Sequence, residues 1–274
     1  MSVKIVGTGH ILQKSVDVVR DVIYGERPDI VAVELDYARF KALEDVGFRP
    51  DAYSNRLSFR GVLSSALGGG SFPVFIQGIL ALIQQSLGER YGISPGSDMC
   101  AAILSAREVG ARVALIDRDI GITMNHALRI PLKEVLALSS TKEEDLEIIS
   151  GLSINKMEDI LEKDNLEIVL AGFRKKQPAL FSAMVDERDR YMANMLKKVG
   201  EENPGKNVVA VVGAGHVTGL TGYLVTLQTG GIVDTNKLLE QKKVSPLRAV
   251  ILIALVFLAF IFLKLKSLSW SRRQ

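Results

Sequence analysis

Short β-branched runs alternate along this chain with longer stretches of helical periodicity. Residues 3–6 form the first run and stop at Gly7-Thr8-Gly9-His10, the pattern of a strand running into a glycine turn. Residues 15–24 place Val16, Val18, Val19, Val22 and Ile23 at roughly helical spacing. After a turn at Glu26-Arg27-Pro28-Asp29, residues 30–33 predict a second strand ending at Glu34. Strand, helix and strand in so short a span form a βαβ unit, so the two strands are expected to be parallel. Residues 37–46 and 98–109 read as helices, the latter with an N-cap at Ser97 or Asp98. A third strand, 112–116, stops at Asp117-Arg118-Asp119. Residues 143–199 are charged and mostly helical, with mixed signs that suit solvated faces. Pro204-Gly205 breaks them, and a fourth strand, 208–212, runs into Gly213-Ala214-Gly215-His216. The expected fold over 1–241 is α/β, a mainly parallel central sheet flanked by helices.

Two stretches break this alternation. Residues 72–88 contain no charged side chain and follow Gly68-Gly69-Gly70. They read as a core or interface helix, with contact to a bilayer as the alternative. Residues 249–263, AVILIALVFLAFIFL, are continuously apolar between Arg248 and Lys264. As a helix this segment spans about 22 Å, and the flanking cations extend its reach toward the roughly 30 Å hydrocarbon core. With Trp270, Arg272 and Arg273 beyond it, 242–274 reads as a C-terminal membrane anchor. A buried helix or re-entrant piece, or self-association into a homo-oligomer through the tail, are the alternatives.

Charge sharpens that division. The chain of 274 residues carries 34 basic and 31 acidic residues, a net charge of +3. Seven of the basic ones lie beyond Gln241, where there is no acidic residue. The remainder, 27 basic against 31 acidic, is mildly acidic, which argues against a nucleic-acid partner. The opening MSVKIVGTGH lacks a signal-peptide pattern, so the globular part is expected in the cytoplasm. One cysteine, Cys100, excludes a disulfide framework and lies in an apolar stretch that predicts a core position.

The chemistry gathers at the predicted strand ends. Only three histidines are present, and His10 and His216 share one context, an apolar strand followed by Gly-x-Gly-His. Ligands in open parallel sheets bind beyond the carboxyl ends of the strands. The glycine turns at Gly7, Gly9, Gly213 and Gly215 would let a substrate or ion approach closely. Glu34 and Asp117-Arg118-Asp119 end the other two strands. Two imidazoles and a carboxylate (His10, His216, Glu34) are a ligand set for a divalent ion, Mn, Co, Zn or Fe, with an open position for water. A second carboxylate would take the proton, and Arg118 would hold a substrate carboxylate or an oxyanion. The bland reading is that each imidazole caps its own turn, that Glu34 pairs with Arg39, and that Asp117, Arg118 and Asp119 form one buried ion-pair cluster. His126 has no glycine turn and is a secondary candidate, as are Asp117 and Asp119.

These motifs together resemble the TraB/PrgY family, related to the Tiki and GumN proteins. The resemblance rests on Gly7-Thr8-Gly9-His10; Arg27-Pro28-Asp29 with Val31 to Asp36; Leu87-Gly88-Glu89 with Pro95-Gly96; Ile116 to Ile120; Glu187-Arg188-Asp189 with Tyr191-Met192-Ala193; and Gly213-Ala214-Gly215-His216. It implies a Tiki-like, EreA/ChaN-like α/β fold and an apolar C-terminal membrane part. Tiki members are described as metal-dependent proteases using two histidines and an acidic residue. Carried over, this points to His10, Glu34 and His216, with Glu187 and Arg188 as companions. TraB and PrgY members are associated with shutting down a peptide pheromone. One departure is His126, which stands near where family members carry an arginine, with Arg129 three residues later; that makes His126 an additional candidate ligand. The expected function is a membrane-associated, metal-dependent hydrolase acting on a peptide or protein substrate, with Glu34, Glu187, Arg118 and Arg188 as its catalytic or bracing groups. The alternatives are a non-catalytic membrane protein that sequesters a peptide signal and, more weakly, an esterase.

Overall fold

The computed structural model describes residues 2–9, 13–50, 52, 96–137 and 163–245. His10, the glycine triplet at 68–70, the charge-free stretch 72–88 and the apolar segment 249–263 lie outside them. The chain divides into two compact units, Met1–Thr123 with Met184–Glu240, and Met124–Ala183 with Gln241–Gln274.

Among the described residues, the first unit has four strands, β1 (Ser2–Thr8), β2 (Ile30–Val33), β3 (Arg112–Leu115) and β4 (Asn207–Gly213). They form one sheet of order β1-β4-β2-β3, with every neighbouring pair parallel. β1 and β2 are parallel, as the βαβ pattern predicts, but they are not neighbours, because β4 enters between them. Its sequence, NVVAVVG, explains that position, since every residue after Asn207 is buried and a strand so apolar needs cover on both faces. The register pairs Gly7 with Val212 and Thr8 with Gly213, so the two Gly-x-Gly motifs begin side by side.

Side chains alternate between two cores. Val31, Val33, Val209 and Val211 pack on one face with α1 (Gln13–Glu26) and α3 (Ser97–Glu108), joined by Leu43 of α2 (Tyr37–Glu44). Ile30, Ala32, Val208, Ala210 and Val212 pack on the other with α8 (Glu187–Glu202) and α9 (Ala214–Gln228). Cys100 belongs to the first core, as expected, and burial pushes its thiol up to about 12. Also in chain order are α4 (Ile120–Ala127), α5 (Leu132–Ala137), α6 (Lys163–Lys176) and α7 (Pro178–Phe181). In the second unit the Glu134 carboxylate accepts the Ala179 and Leu180 amides at 3.0 and 3.2 Å, which caps α7. Phe173 packs edge-on to Phe181 there. Among the described residues, no helix is long and apolar enough to cross a membrane.

Two local expectations are corrected. The α3 N-cap is Gly96, whose φ of 84° suits glycine. Asp98 lies inside the first turn, where its Oδ1 accepts the Met99 amide at 2.9 Å and its Oδ2 turns inward to accept the Thr8 hydroxyl at 2.5 Å. Nor does the chain turn sharply at Gly213. It ends β4 in an extended conformation and leads straight into α9, so Gly215 and His216 lie in the first helical turn. Gly7 serves close packing, because a Cβ there would lie 2.7 Å from Val217 Cγ2.

Candidate functional site

His216, only 7% exposed, is held at both ring nitrogens. Its Nδ1 lies 2.6 Å from Asp189 Oδ1 and its Nε2 lies 3.0 Å from Arg188 Nη1. A guanidinium only donates, so Nε2 offers its lone pair and Nδ1–H donates to Asp189. Arg188 and Asp189 are consecutive in the first turn of α8, just after a single π-helical turn, Ser182–Asp186. The Met184 carbonyl in that turn accepts from Arg188 Nη1 at 3.2 Å. Such wide turns recur near functional sites because they re-aim the side chains that follow. Gly219, one turn after His216 on α9, makes the approach of Asp189 feasible, since a Cβ at Gly219 would stand 2.1 Å from Asp189 Oδ2.

Glu34 follows β2 directly, and its amide still donates to Val211 of β4. That register brings its carboxylate to the N-terminus of α9, where Gly213 N–H donates to Oε2 at 2.6 Å. The helix dipole favours an anion at this end. Glu34 Oε1 accepts from Arg188 Nη2 and lies 3.4 Å from His216 Nε2. Arg188 also donates through Nε and Nη2 to Asp117, at 3.1 and 2.6 Å. Arg39 donates to Asp117 as well, and its Nε donates to Asp36 at 2.9 Å.

These neighbours set the charges. Burial pushes the Asp117 carboxyl up, but the guanidiniums of Arg188 and Arg39 overcome that and hold it well below the usual carboxylate range. Burial alone would discourage charge on Arg188, yet Asp117 and Glu34 more than offset it and keep the arginine firmly protonated. Asp189 is different. Burial raises its carboxyl to about 6, only partly countered by the hydrogen bond from His216.

The strand-end candidates therefore separate. Glu34, Asp117, Arg188 and His216 come together, and Glu34 pairs with Arg188 rather than Arg39. Asp117, Arg118 and Asp119 do not form a single cluster. Arg118 is fully buried and donates to Glu187 Oε2, Thr123 Oγ1 and the Leu238 carbonyl at 2.8, 3.1 and 2.8 Å, a bracing position. Asp119 accepts the Gly121 and Ile122 amides and caps α4. His126 lies half-buried in the last turn of α4, in the other compact unit. Sequence reasoning passed over Asp189 as the imidazole partner, although the acidic-basic-acidic run Glu187-Arg188-Asp189 at a helix start was its signal.

Whether a divalent ion suits the site turns on two atoms. Glu34 Oε1 and His216 Nε2 are donor types that bind such ions, and they converge on a place where a cationic group, the Arg188 guanidinium, already touches both. Two donors of suitable type are therefore present. Among the described residues no group of three His, Cys, Asp or Glu side chains forms an ion site, and His10 lies outside them.

A parallel sheet with an acid–base cluster at its carboxyl edge defines an α/β protein with a strand-end site. The chain belongs to the TraB/PrgY/gumN family, whose profile matches residues 2–235. It is 36% identical over 245 residues to an uncharacterized protein of Methanocaldococcus jannaschii, covering 87% of this chain and 57% of that protein. The human TraB domain-containing protein is 27% identical over 237 residues, covering 80% of this chain and 61% of the relative. The mouse TraB domain-containing protein gives the same figures. The chain thus spans about three-fifths of the length of these curated relatives.

Proposed function

We propose that this protein is a membrane-associated hydrolase of acyl bonds, peptide bonds foremost, whose site is the Glu34–Arg188–Asp189–His216 cluster. The observation that supports this reading most directly is the double hold on His216. Asp189 fixes the Nδ1–H form, so the Nε2 lone pair faces Glu34 and Arg188. An imidazole aligned in this way by a buried carboxylate is the arrangement proton transfer and ligation both require.

Glu34 Oε1 and His216 Nε2, with His10 as the sequence-based third ligand, would hold a divalent ion. When bound, that ion would lower the pKa of a bound water and polarise a substrate carbonyl. The chain's own groups supply the rest. Gly213 N–H orients Glu34, and Asp189 keeps the imidazole from rotating. Arg188 supplies a positive charge suited to an oxyanion. Glu187, partly exposed and paired with Arg118, is the proposed carboxylate that takes the proton from water. The tail 249–263 is the proposed membrane anchor, so the full chain should sediment with membranes and resist extraction by salt.

The test is turnover by the purified full chain in detergent, with and without Mn²⁺, Co²⁺, Zn²⁺ or Fe²⁺, on a peptide library read by mass spectrometry. Cleavage should be abolished in Glu34→Gln and His216→Ala, and each single variant should be about as inactive as the double. No cleavage under any of these conditions, or additive partial losses, would count against a shared hydrolytic site.

A further inference from the structure

We propose that Arg188 is a resident cation that competes with a divalent ion for the same two donor atoms, so that loading the site requires its guanidinium to withdraw. The inference rests on the ion-binding part of the functional reading and adds a latch to it. Arg188 Nη2 donates to Glu34 Oε1, and Nη1 donates to His216 Nε2 at 3.0 Å. The second takes the single lone pair of Nε2 that an ion would need, and the first sets a cationic group on the same Oε1.

Neither ligand has an easy substitute atom. Glu34 Oε2 already accepts the Gly213 amide at 2.6 Å, and His216 Nδ1 is bound to Asp189 at 2.6 Å. Moving either away would break a buried hydrogen bond. A divalent ion beside an engaged guanidinium would also set like charges against each other in a site of low dielectric. Simultaneous occupancy is therefore disfavoured on geometric and electrostatic grounds alike.

Withdrawal is feasible because the arginine has a second anchor. Asp117 accepts from Nε at 3.1 Å and from Nη2 at 2.6 Å, and Arg39 holds Asp117 from its other side. Nη2 is shared between Glu34 and Asp117, so a rotation of the guanidinium that releases Nη1 and the Glu34 contact retains Nε on Asp117 Oδ1 as its anchor. Two guanidiniums, Arg188 and Arg39, thus match the two carboxylates of Glu34 and Asp117 within the cluster itself. The cost appears as reduced affinity: if the withdrawn state is about one-tenth populated, apparent ion affinity falls about tenfold.

The experiment measures Mn²⁺ and Zn²⁺ binding by calorimetry and elemental analysis on the folded full chain, without reference to turnover. Arg188→Met should bind Mn²⁺ about tenfold or more tightly than wild type. Arg188→Lys, which keeps a charge beside Asp117 but cannot bridge both donor atoms, should show a smaller gain in the same direction and covers the case in which Arg188→Met does not fold. In wild type, Zn²⁺ should shift the ¹⁵Nε resonance that disappears in Arg188→Lys. Equal affinity in wild type and the Arg188 variants, with binding still lost in Glu34→Gln, would overturn the latch and leave the ion-binding reading standing. No binding in any form would overturn both the latch and the ion, and the peptide-cleavage assay would then judge hydrolysis separately.

Discussion

Asp189→Asn isolates the cost of keeping an ionised carboxylate beneath His216. Asp189 is 3% exposed, and burial raises its carboxyl from 3.8 to about 6 despite the hydrogen bond from His216. A shift of roughly two units corresponds to about 3 kcal/mol. The folded state holds this proton more tightly than the unfolded chain does. Below 3.8 both states are protonated and nothing is lost. Between 3.8 and about 6 the unfolded chain has released the proton while the folded protein retains it, so stability falls as pH rises. Above that window both are ionised and the whole penalty is present. Asparagine keeps the shape and an oxygen that can accept Nδ1–H but does not titrate. The stability of Asp189→Asn minus that of wild type should therefore rise by about 3 kcal/mol between about pH 4 and about pH 7. Groups remote from Asp189 are common to both proteins and cancel in the difference. Urea unfolding of the full chain, followed by far-ultraviolet circular dichroism in one detergent at each pH, gives the number. A difference that stays flat, or falls with pH, refutes the assignment of Asp189 as a buried carboxyl with a raised pKa.

Two further substitutions probe the supports of the site. Gly219→Ala places a Cβ where Asp189 Oδ2 now lies, 2.1 Å away, so Asp189 must leave His216; thermal melting should show a loss of about 1–3 kcal/mol and peptide cleavage should fall to the level of His216→Ala, whereas wild-type behaviour would mean that Asp189 does not occupy that space. Arg118→Met removes a buried donor from Glu187, Thr123 and the Leu238 carbonyl; the expected cost is about 3–5 kcal/mol by denaturant unfolding, and a loss of activity without destabilisation would contradict the bracing role.

Much of the fold is legible in the amino-acid order because strand formation is local. The boundaries of β2 match expectation, and β3 ends one residue short of it. The placement of β4 between β1 and β2 is not local. It follows from the need of an entirely apolar strand for cover on both faces and both edges, a competition among strands that no single segment reveals. The cap of α3 misleads for a related reason: Ser97 and Asp98 have the right chemistry, but Gly96 adopts the left-handed conformation and Thr8, 90 residues away, draws Asp98 inward. The glycines near His216 were also only half legible. Their presence is plain, but Gly7 and Gly219 matter for what would collide with an added Cβ.

The residues at the strand ends, and hence the family and the gathering of Glu34, Asp117 and His216 at one sheet edge, are determined by the sequence itself. Hydrophobic periodicity sets where strands stop, and parallel strands all stop at the same side. Which charge meets which is decided only by the tertiary structure. Arg188 reaches Glu34, Asp117 and His216 because α8 packs beside α9 against one face of the sheet, while its neighbours Glu187 and Asp189 leave the same helical turn toward Arg118 and the imidazole. Consecutive residues on a helix diverge by about 100°, so adjacency in the chain says little about partnership in space; strand order and helix rotation settle it.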